Sequence, residues 1–407
     1  MSGNIHKERL AQVRALMKRK KLDALIVPSS DPHLGEYVPD HWRVIRWLTG
    51  FSGSAGNVII TKTFAGLWTD SRYFIQAEEQ LAGSGFVLVR LKIPHTPEHI
   101  DWLKEKSRKG WKAGVDGRLI SAGTMRLLLS AMKEAGARLD LKADLITPVW
   151  KDRPALPSGE AFELDVKYAG LTRKEKIQRV REVMKAMKVD YHLLTATDDI
   201  MWLLNLRGND VKYCPLLLSF AIVSNDQVIL FADEDKVPGS LRASLDRDNV
   251  VLLPYDTVTS VLSHLEDGSV LLFPPSTTSA SLFRSVPRRV KTIEDLSIPT
   301  RMKAVKNGTE LANLRKVMAD DGVILTRFFH WLESALEKEE VTELSAAAKL
   351  DGMRSAQDGC TGPAFSTIAA YNEHAALPHY VPDDKTDVRL RKSGIFLLDS
   401  GGQYFGG

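Results

Sequence analysis

Cysteine is scarce in this chain. Only Cys214 and Cys360 occur among 407 residues, and they lie far apart in the sequence. Neither belongs to a CxxC pattern, which argues against zinc ribbons and redox motifs. A chain with so few thiols and no disulfide framework suits a reducing compartment.

Long hydrophobic runs and an excess of one charge are also lacking. The longest apolar run, at residues 215–223, is shorter than the span of about 20 residues that a membrane helix needs. The first residues contain no apolar core of a signal peptide. The 55 basic and 51 acidic residues give a net charge of only +4. We therefore expect a cytoplasmic protein that binds neither nucleic acid nor a membrane surface.

One local charge run needs separate interpretation. Residues 18–21 read Lys-Arg-Lys-Lys. Such a run is compatible with a nucleic-acid patch, but it also falls at the C-terminal end of a predicted helix, where cations are favourable. We favour the solvated helix end.

An internal repeat predicts the architecture. Residues 13–23 align without a gap with residues 180–190. In each copy a helix with apolar positions three or four residues apart leads through Lys-x-Asp into a short strand, and a Trp-Leu pair follows later. Any two helix–strand units share some features, but a duplicated α/β domain explains the order better. Alternating helices and strands predict sheets covered by helices.

Proline and glycine mark the boundaries. The stretch 147–159 is a proline-rich linker, so we place a first domain at 1–153, a second at 160–298 and a third at 299–407. The third begins with a helix at 310–336, capped by Thr309, and a helix from Thr342 to about 353. Strands follow near 364–370 and 395–398. These strands are few for a complete domain.

The most informative stretch is the apolar strand that runs into Asp399 and a glycine-rich turn. We interpret residues 394–398 as a buried strand. His379 follows another apolar run, and a carboxylate and an imidazole on neighbouring strands can build a metal or acid–base site. Each residue also has a simpler interpretation. Asp399 is compatible with the start of a turn, and His379 and His374 with surface-loop histidines. Arg72 is compatible with a structural partner of Asp70.

Several segments together resemble the Xaa-Pro aminopeptidases, the aminopeptidase P family of the creatinase/prolidase/methionine-aminopeptidase superfamily. The resemblance covers essentially the whole chain and is closest to the long, three-domain form. It is carried by residues 50–56 with 67–74, which include Asp-Ser-Arg-Tyr at 70–73, by residues 202–211, by residues 302–307, and by His379-Tyr380 with residues 397–404.

The resemblance implies an α/β fold with two duplicated creatinase-like N-terminal domains, followed by the first part of a pita-bread catalytic domain. It implies a metal-dependent aminopeptidase that releases the first residue from peptides with proline at the second position, and it implies a homodimer. Two ions, usually manganese, are held in that family by two Asp, one His and two Glu. Asp399 matches the first of these metal ligands. His379 matches a catalytic, substrate-contacting histidine, and Arg72 a substrate-binding residue.

The other four ligand positions of the family lie beyond residue 407. We therefore expect a chain truncated within the catalytic domain and inactive by itself. Two alternatives stay open. One is a non-catalytic pita-bread protein that binds peptides or other partners. The other is a metal-independent creatinase-type hydrolase, against which the retention of Asp399 weighs.

Overall fold

The first part of the chain folds into one six-stranded sheet with helices on both faces. The computed structural model describes residues 2–407, with side chains from residue 5 onward. The helices are α1 (Ser2–Arg19), α2 (Val44–Thr49), α3 (Phe74–Leu81), α4 (Glu98–Lys106) and α5 (Ala122–Glu134), and the strands are β1 (Ala24–Pro28), β2 (Asn57–Thr61), β3 (Ala65–Thr69), β4 (Val87–Arg90), β5 (Lys112–Val115) and β6 (Arg138–Asp140). We call these elements the first unit.

The core of the first unit lies on both faces of its central strand. Leu25 and Val27 of β1 belong to a cluster with α1 and α2, whereas Ala24 and Ile26 belong to a second cluster with α4 and α5. Successive side chains of a strand point to opposite faces, so β1 is buried on both sides. This explains why its sequence is apolar throughout rather than alternating.

A second unit follows and repeats this plan. Its strands are β7 (Phe162–Glu163), β8 (Tyr191–Leu194), β9 (Leu206–Arg207), β10 (Phe220–Ser224), β11 (Val228–Ala232), β12 (Val250–Pro254), β13 (Val270–Phe273) and β14 (Lys291–Glu294), and its helices are α6 (Val166–Ala169), α7 (Arg173–Met187), α8 (Thr197–Leu204), α9 (Gly239–Arg247), α10 (Val258–Ser263) and α11 (Ala280–Ser285).

The two main sheets have the same topology, which confirms the predicted duplication. Their strand orders are β4-β3-β2-β1-β5-β6 and β12-β11-β10-β8-β13-β14. In both, the central strand pairs antiparallel on one side and parallel on the other. The repeated sequences occupy equivalent places, since α1 leads into β1 and α7 leads into β8.

The repeated Lys-x-Asp sequence has the same structural role in both units. Lys21 and Lys188 adopt left-handed backbone conformations, with φ of 54° and 56°, and end the helix. Two residues later, the carboxylates of Asp23 and Asp190 accept the backbone N–H of Lys112 at 2.9 Å and of Val270 at 2.8 Å. Each aspartate thereby ties the central strand to its parallel neighbour.

The C-terminal segment packs long helices against short antiparallel strand pairs. Its elements are α12 (Ile298–Ala304), α13 (Gly308–Lys338), α14 (Glu343–Ser355), β15 (Cys360–Pro363), β16 (Ile368–Tyr371), β17 (Phe396–Asp399) and β18 (Gly402–Tyr404). Strand β16 pairs with β17, and β15 with β18. A core that includes Ile324, Phe328 and Leu350 joins α13 to α14.

Two local predictions for this segment were wrong. The N-cap of α13 is Asn307, whose side chain accepts the N–H of Glu310 at 3.0 Å, and not Thr309. Asn307 is the cap because its backbone N–H in turn donates to the carboxylate of Glu310, which completes a capping box. The strand before Asp399 is not fully buried: Ile395 is 70% exposed and Leu397 39% exposed. Among the described residues β17 pairs only with β16, and the alternate residues Leu397 and Asp399 on one of its faces are exposed.

The second unit depends on a buried arginine at the start of α7. The side chain of Arg173 is 1% exposed and donates to the carboxylates of Glu163 and Asp248, each at 2.8 Å. It also donates to the carbonyl oxygen of Leu204 at 2.8 Å. A cation at a helix N-terminus is unfavourable, so these acceptors offset both the burial and the helix dipole.

Substitution of Arg173 by methionine should therefore destabilise the second unit by about 3 kcal/mol, because it leaves two carboxylates without their partner. The measurement is denaturant unfolding followed by hydrogen exchange in β8 and β10. The matched control is Arg242→Met, which removes an exposed pair with Glu234 at 3.6 Å and should have little effect. Equal losses in the two variants would contradict this account of Arg173.

Candidate functional site

Arg72 projects from the end of β3 toward the C-terminal segment. Its Nε and Nη2 atoms each donate to the carboxylate of Asp70 at 2.8 Å. Asp70 is only 3% exposed, and its hydrogen bonds from Arg72 lower the pKa of that carboxyl. The two-pronged pair fixes the plane of the guanidinium. The structural interpretation of Arg72 is therefore correct, and the same geometry leaves Nη1 free to reach further.

His379 is the residue that Arg72 reaches. The Nη1 atom of Arg72 donates to Nε2 of His379 at 3.3 Å, within the same chain. The imidazole also stacks on the ring of Tyr73, with 5.2 Å between centroids and 15° between planes. Because a guanidinium cannot accept a hydrogen bond, Nε2 is the acceptor here and Nδ1 carries the proton. His379 lies in a turn and not on a strand, and the residue is exposed.

The electrostatics of His379 involve the other candidate residues. Burial and the charge of Arg72 lower the pKa of His379, while Asp70, Asp399 and Glu36 act in the opposite direction. Asp399 ends β17, as the sequence predicts, and its charge acts on the imidazole. The structure thus brings Arg72, His379 and Asp399 to one region between the first unit and the C-terminal segment.

The donor set at this region is incomplete for a metal centre. Within the part of the chain that the structure describes, no group of three or more His, Cys, Asp or Glu side chains is arranged to hold an ion. Asp399 is an exposed carboxylate at a strand end and is suited to be one ligand. The described residues therefore do not by themselves fit the two-metal site that the resemblance implies, since one carboxylate cannot hold two dications.

A buried network next to His379 was missed by sequence reasoning. The carboxylate of Glu343, whose side chain is fully buried, accepts from the backbone N–H of Tyr371 at 2.6 Å and from the hydroxyl of Tyr380 at 2.7 Å. Nδ1 of His374 lies 3.0 Å from both carboxylate oxygens and donates to them. His374 also stacks on Tyr380, with 4.3 Å between centroids.

This network corrects the interpretation of His374 as a surface-loop histidine. Its side chain is only 18% exposed and is paired with the carboxylate. The sequence did not single out Glu343 as the centre of a buried network, because acidic residues are common in the first turn of a helix. The network holds the turn that carries His379, since Tyr380 is its immediate neighbour. The network therefore positions His379 through the backbone of the neighbouring Tyr380, whereas the pair of Asp70 and Arg72 contacts the ring of His379 itself.

Replacing Glu343 with alanine should remove the acceptor that three donors share and cost about 3 kcal/mol or more. Hydrogen exchange should report the loss first at the amide of Tyr371, which donates to this carboxylate. The control is Glu340→Ala, since Glu340 is exposed and its partner Arg389 lies 3.8 Å away. Retained protection of Tyr371 in the Glu343 variant would contradict a structural role for the carboxylate.

The pKa of His379 should respond to Arg72 with a definite sign. Replacement of Arg72 by glutamine removes a positive charge that lowers the pKa and leaves the charge of Asp70, which raises it. The folded pKa lies below the ordinary value of about 6.5, so the ring is mostly neutral at that pH and should become more protonated in the variant. An NMR titration of the His379 ring measures this. The exposed pair variant Arg242→Gln is the control, and an unchanged or lower midpoint would refute the assignment.

Comparison with known proteins gives the family of the chain. Models of the creatinase/prolidase N-terminal domain match residues 9–144 and 152–310, and a model of metallopeptidase family M24 matches residues 312–407. A probable Xaa-Pro aminopeptidase P of Laccaria bicolor is 36% identical over 98% of the chain. An Xaa-Pro aminopeptidase of Drosophila melanogaster is 34% identical over the same share.

A solved structure supports the same relationship. The crystal structure of the X-prolyl aminopeptidase from Caenorhabditis elegans, described as a cytosolic enzyme with a di-nuclear active site, is 32% identical and superposes with a TM-score of 0.94 over 99% of this chain. The chain covers 68% of that structure, 67% of the Drosophila protein and 63% of the Laccaria protein. Its sequence, its fold and its matched domains together show that the chain belongs to the Xaa-Pro aminopeptidases of the creatinase/prolidase superfamily, with an M24 metallopeptidase domain.

Proposed function

We propose that this protein serves as a metal-dependent aminopeptidase that releases the first residue from peptides with proline at the second position. The observation that carries the proposal is that Arg72, His379 and Asp399 come together in one region. Arg72 contacts His379 directly, and the charge of Asp399 acts on it. These are three residues that the family resemblance singles out independently, and they come from segments far apart in the sequence.

The proposed roles follow from what each side chain can do. Peptide hydrolysis at neutral pH needs an activated water and a stabilised oxyanion. Asp399 is proposed as a metal ligand. His379 is the proposed donor to the developing oxyanion, since burial and the charge of Arg72 lower its pKa and favour the neutral ring, in which one nitrogen carries a proton. Arg72 is the proposed substrate-binding residue, and its pair with Asp70 keeps the guanidinium in place.

Several further properties belong to the same proposal. The metal is proposed to be manganese, because carboxylate-rich ligand sets suit such ions. The domain division is proposed at 1–153, 160–298 and 299–407. We also propose a homodimer in the cytoplasm. In residues 2–407 no helix has the length and apolar character to cross a bilayer, and both cysteines are free.

Residues 1–407 alone are proposed to lack turnover, because they supply one of the expected metal ligands. The test measures release of the first residue from an Xaa-Pro peptide and from its Xaa-Ala counterpart, with added manganese. It compares a polypeptide of residues 1–407 with the longest form of the protein purified from its source. We expect cleavage of the proline peptide only by a form that also binds two equivalents of metal. Binding of the peptide without cleavage by every form would favour the peptide-binding alternative.

In an active form, His379→Ala should lower kcat by about 100-fold, as loss of an oxyanion donor does. Asp399→Asn should lower the bound metal as well as the rate, whereas His379→Ala should leave the metal content unchanged. The control is His264→Ala, because His264 follows α10 in the second unit and its ring bonds to Ser260 and Ser263. Normal turnover of the His379 variant would remove this residue from the mechanism.

A further inference from the structure

A large cleft with strongly basic walls lies at the edge of the first sheet opposite to Arg72 and His379. It sits below the starts of β1, β5 and β6 and has a volume of about 1620 Å³. Arg72 instead follows the carboxyl end of β3, which runs in the same direction as β1. The cleft is therefore separate from the candidate active site. We name it the basic cleft.

The charge of the basic cleft is concentrated and mostly unpaired. Ten Lys and Arg side chains line it, against two carboxylates, Asp23 and Asp140. Both carboxylates are already engaged: Asp23 accepts the backbone N–H of Lys112, and Asp140 pairs with the ammonium of Lys112 at 2.7 Å. The other nine cations form no ion pair with any described carboxylate. These cations are Arg14, Lys18, Lys20, Lys21, Lys62, Arg108, Arg138, Lys142 and Arg284.

The C-terminal end of α1 does not by itself account for the number of cations in the basic cleft. The dipole of α1 favours cations near Lys18 and Lys21, but its effect falls off within the last turn. Arg108 comes from the loop after α4, Arg138 from the start of β6, and Arg284 from α11 of the second unit. The lining carries a larger formal positive charge than the whole chain, whose net charge is +4. Like charges drawn together from separate segments repel one another, and an anion bound between them would relieve that repulsion.

We propose that the basic cleft binds a small molecule that carries several phosphate groups, such as a short linear polyphosphate. The volume exceeds the range of about 300–1,000 Å³ that is usual for single-ligand pockets, which fits an extended anion better than one phosphate. Trp111 is the one aromatic side chain in the lining. Single-stranded nucleic acid is bound by stacking successive bases on several aromatic side chains. A single aromatic ring cannot stack a series of bases.

The test is calorimetric titration of residues 1–407 with inorganic tripolyphosphate, ATP and a short oligothymidylate, at low and at physiological ionic strength. We expect tripolyphosphate to bind, with an affinity that falls as salt screens the cations. Tighter binding of ATP would identify a nucleoside polyphosphate as the source of the phosphates and would still support the proposal. Preference for the oligothymidylate would overturn it in favour of a nucleic acid, and so would the absence of polyphosphate binding at low salt.

The duplicated fold supplies a matched control for charge. Lys18→Glu with Lys21→Glu reverses two cations of the cleft, and Lys185→Glu with Lys188→Glu makes the same change at the equivalent helix end of the second unit. We expect the first variant to weaken tripolyphosphate binding about tenfold or more and the second to change it little. Equal weakening would mean that only net charge matters and would overturn the proposal. Lys18→Gln with Lys21→Gln provides a milder form should the reversed variant fail to fold.

Discussion

The ion pair between Asp70 and Arg72 is the contact on which the candidate site depends. A nearly buried carboxylate takes two guanidinium nitrogens at 2.8 Å, and this directs the third nitrogen at His379. The orientation of a histidine in the C-terminal segment is thus determined by a pair that lies wholly in the first unit. The guanidinium is partly exposed, with 36% of its side chain accessible, so the pair contributes little free energy of folding. Its importance lies in geometry, because the ring of His379 is held between Arg72 and the face of Tyr73.

The two copies of the duplicated unit have different roles toward the candidate site and the C-terminal segment. The first copy supplies a side chain to the candidate site. The second copy anchors the C-terminal segment, since its buried Asp199 pairs with Lys303 at 2.7 Å and accepts the hydroxyl of Thr300 at 2.7 Å. Both uses draw on polar residues outside the strands, and the shared sheet topology is unaffected. A fold whose central strand is buried on both faces tolerates such divergence at its connections, because the apolar strands supply much of its core.

Sequence reasoning succeeded where the signal was local. The helix before each central strand, the Lys-x-Asp sequence and the position of Asp399 at a strand end are patterns of neighbouring residues, and the structure has them. It failed where contacts join distant residues. Glu343 and His374 are 31 positions apart, and nothing near either residue indicates their pairing. The cap at Asn307 was missed because Asn and Thr are both good caps and only the reciprocal bond of Glu310 decides between them. The basic cleft was missed for a related reason: residues 18–21 were visible as a run, but Arg138 and Arg284 join them only in the folded chain.

The two edges of the first sheet differ in charge, and this difference has a functional consequence. Near the carboxyl edge, the three carboxylates that act on His379, those of Asp70, Asp399 and Glu36, outnumber the single cation Arg72. At the opposite edge, cations greatly outnumber carboxylates. The positively charged amino terminus of the proposed peptide substrate would be attracted to the carboxylate edge and repelled by the basic edge. The proposed anion with several phosphates would be attracted to the basic edge and repelled by the carboxylate edge. Because the two edges favour ligands of opposite charge, the proposed peptide site and the proposed polyphosphate site would not compete for one ligand.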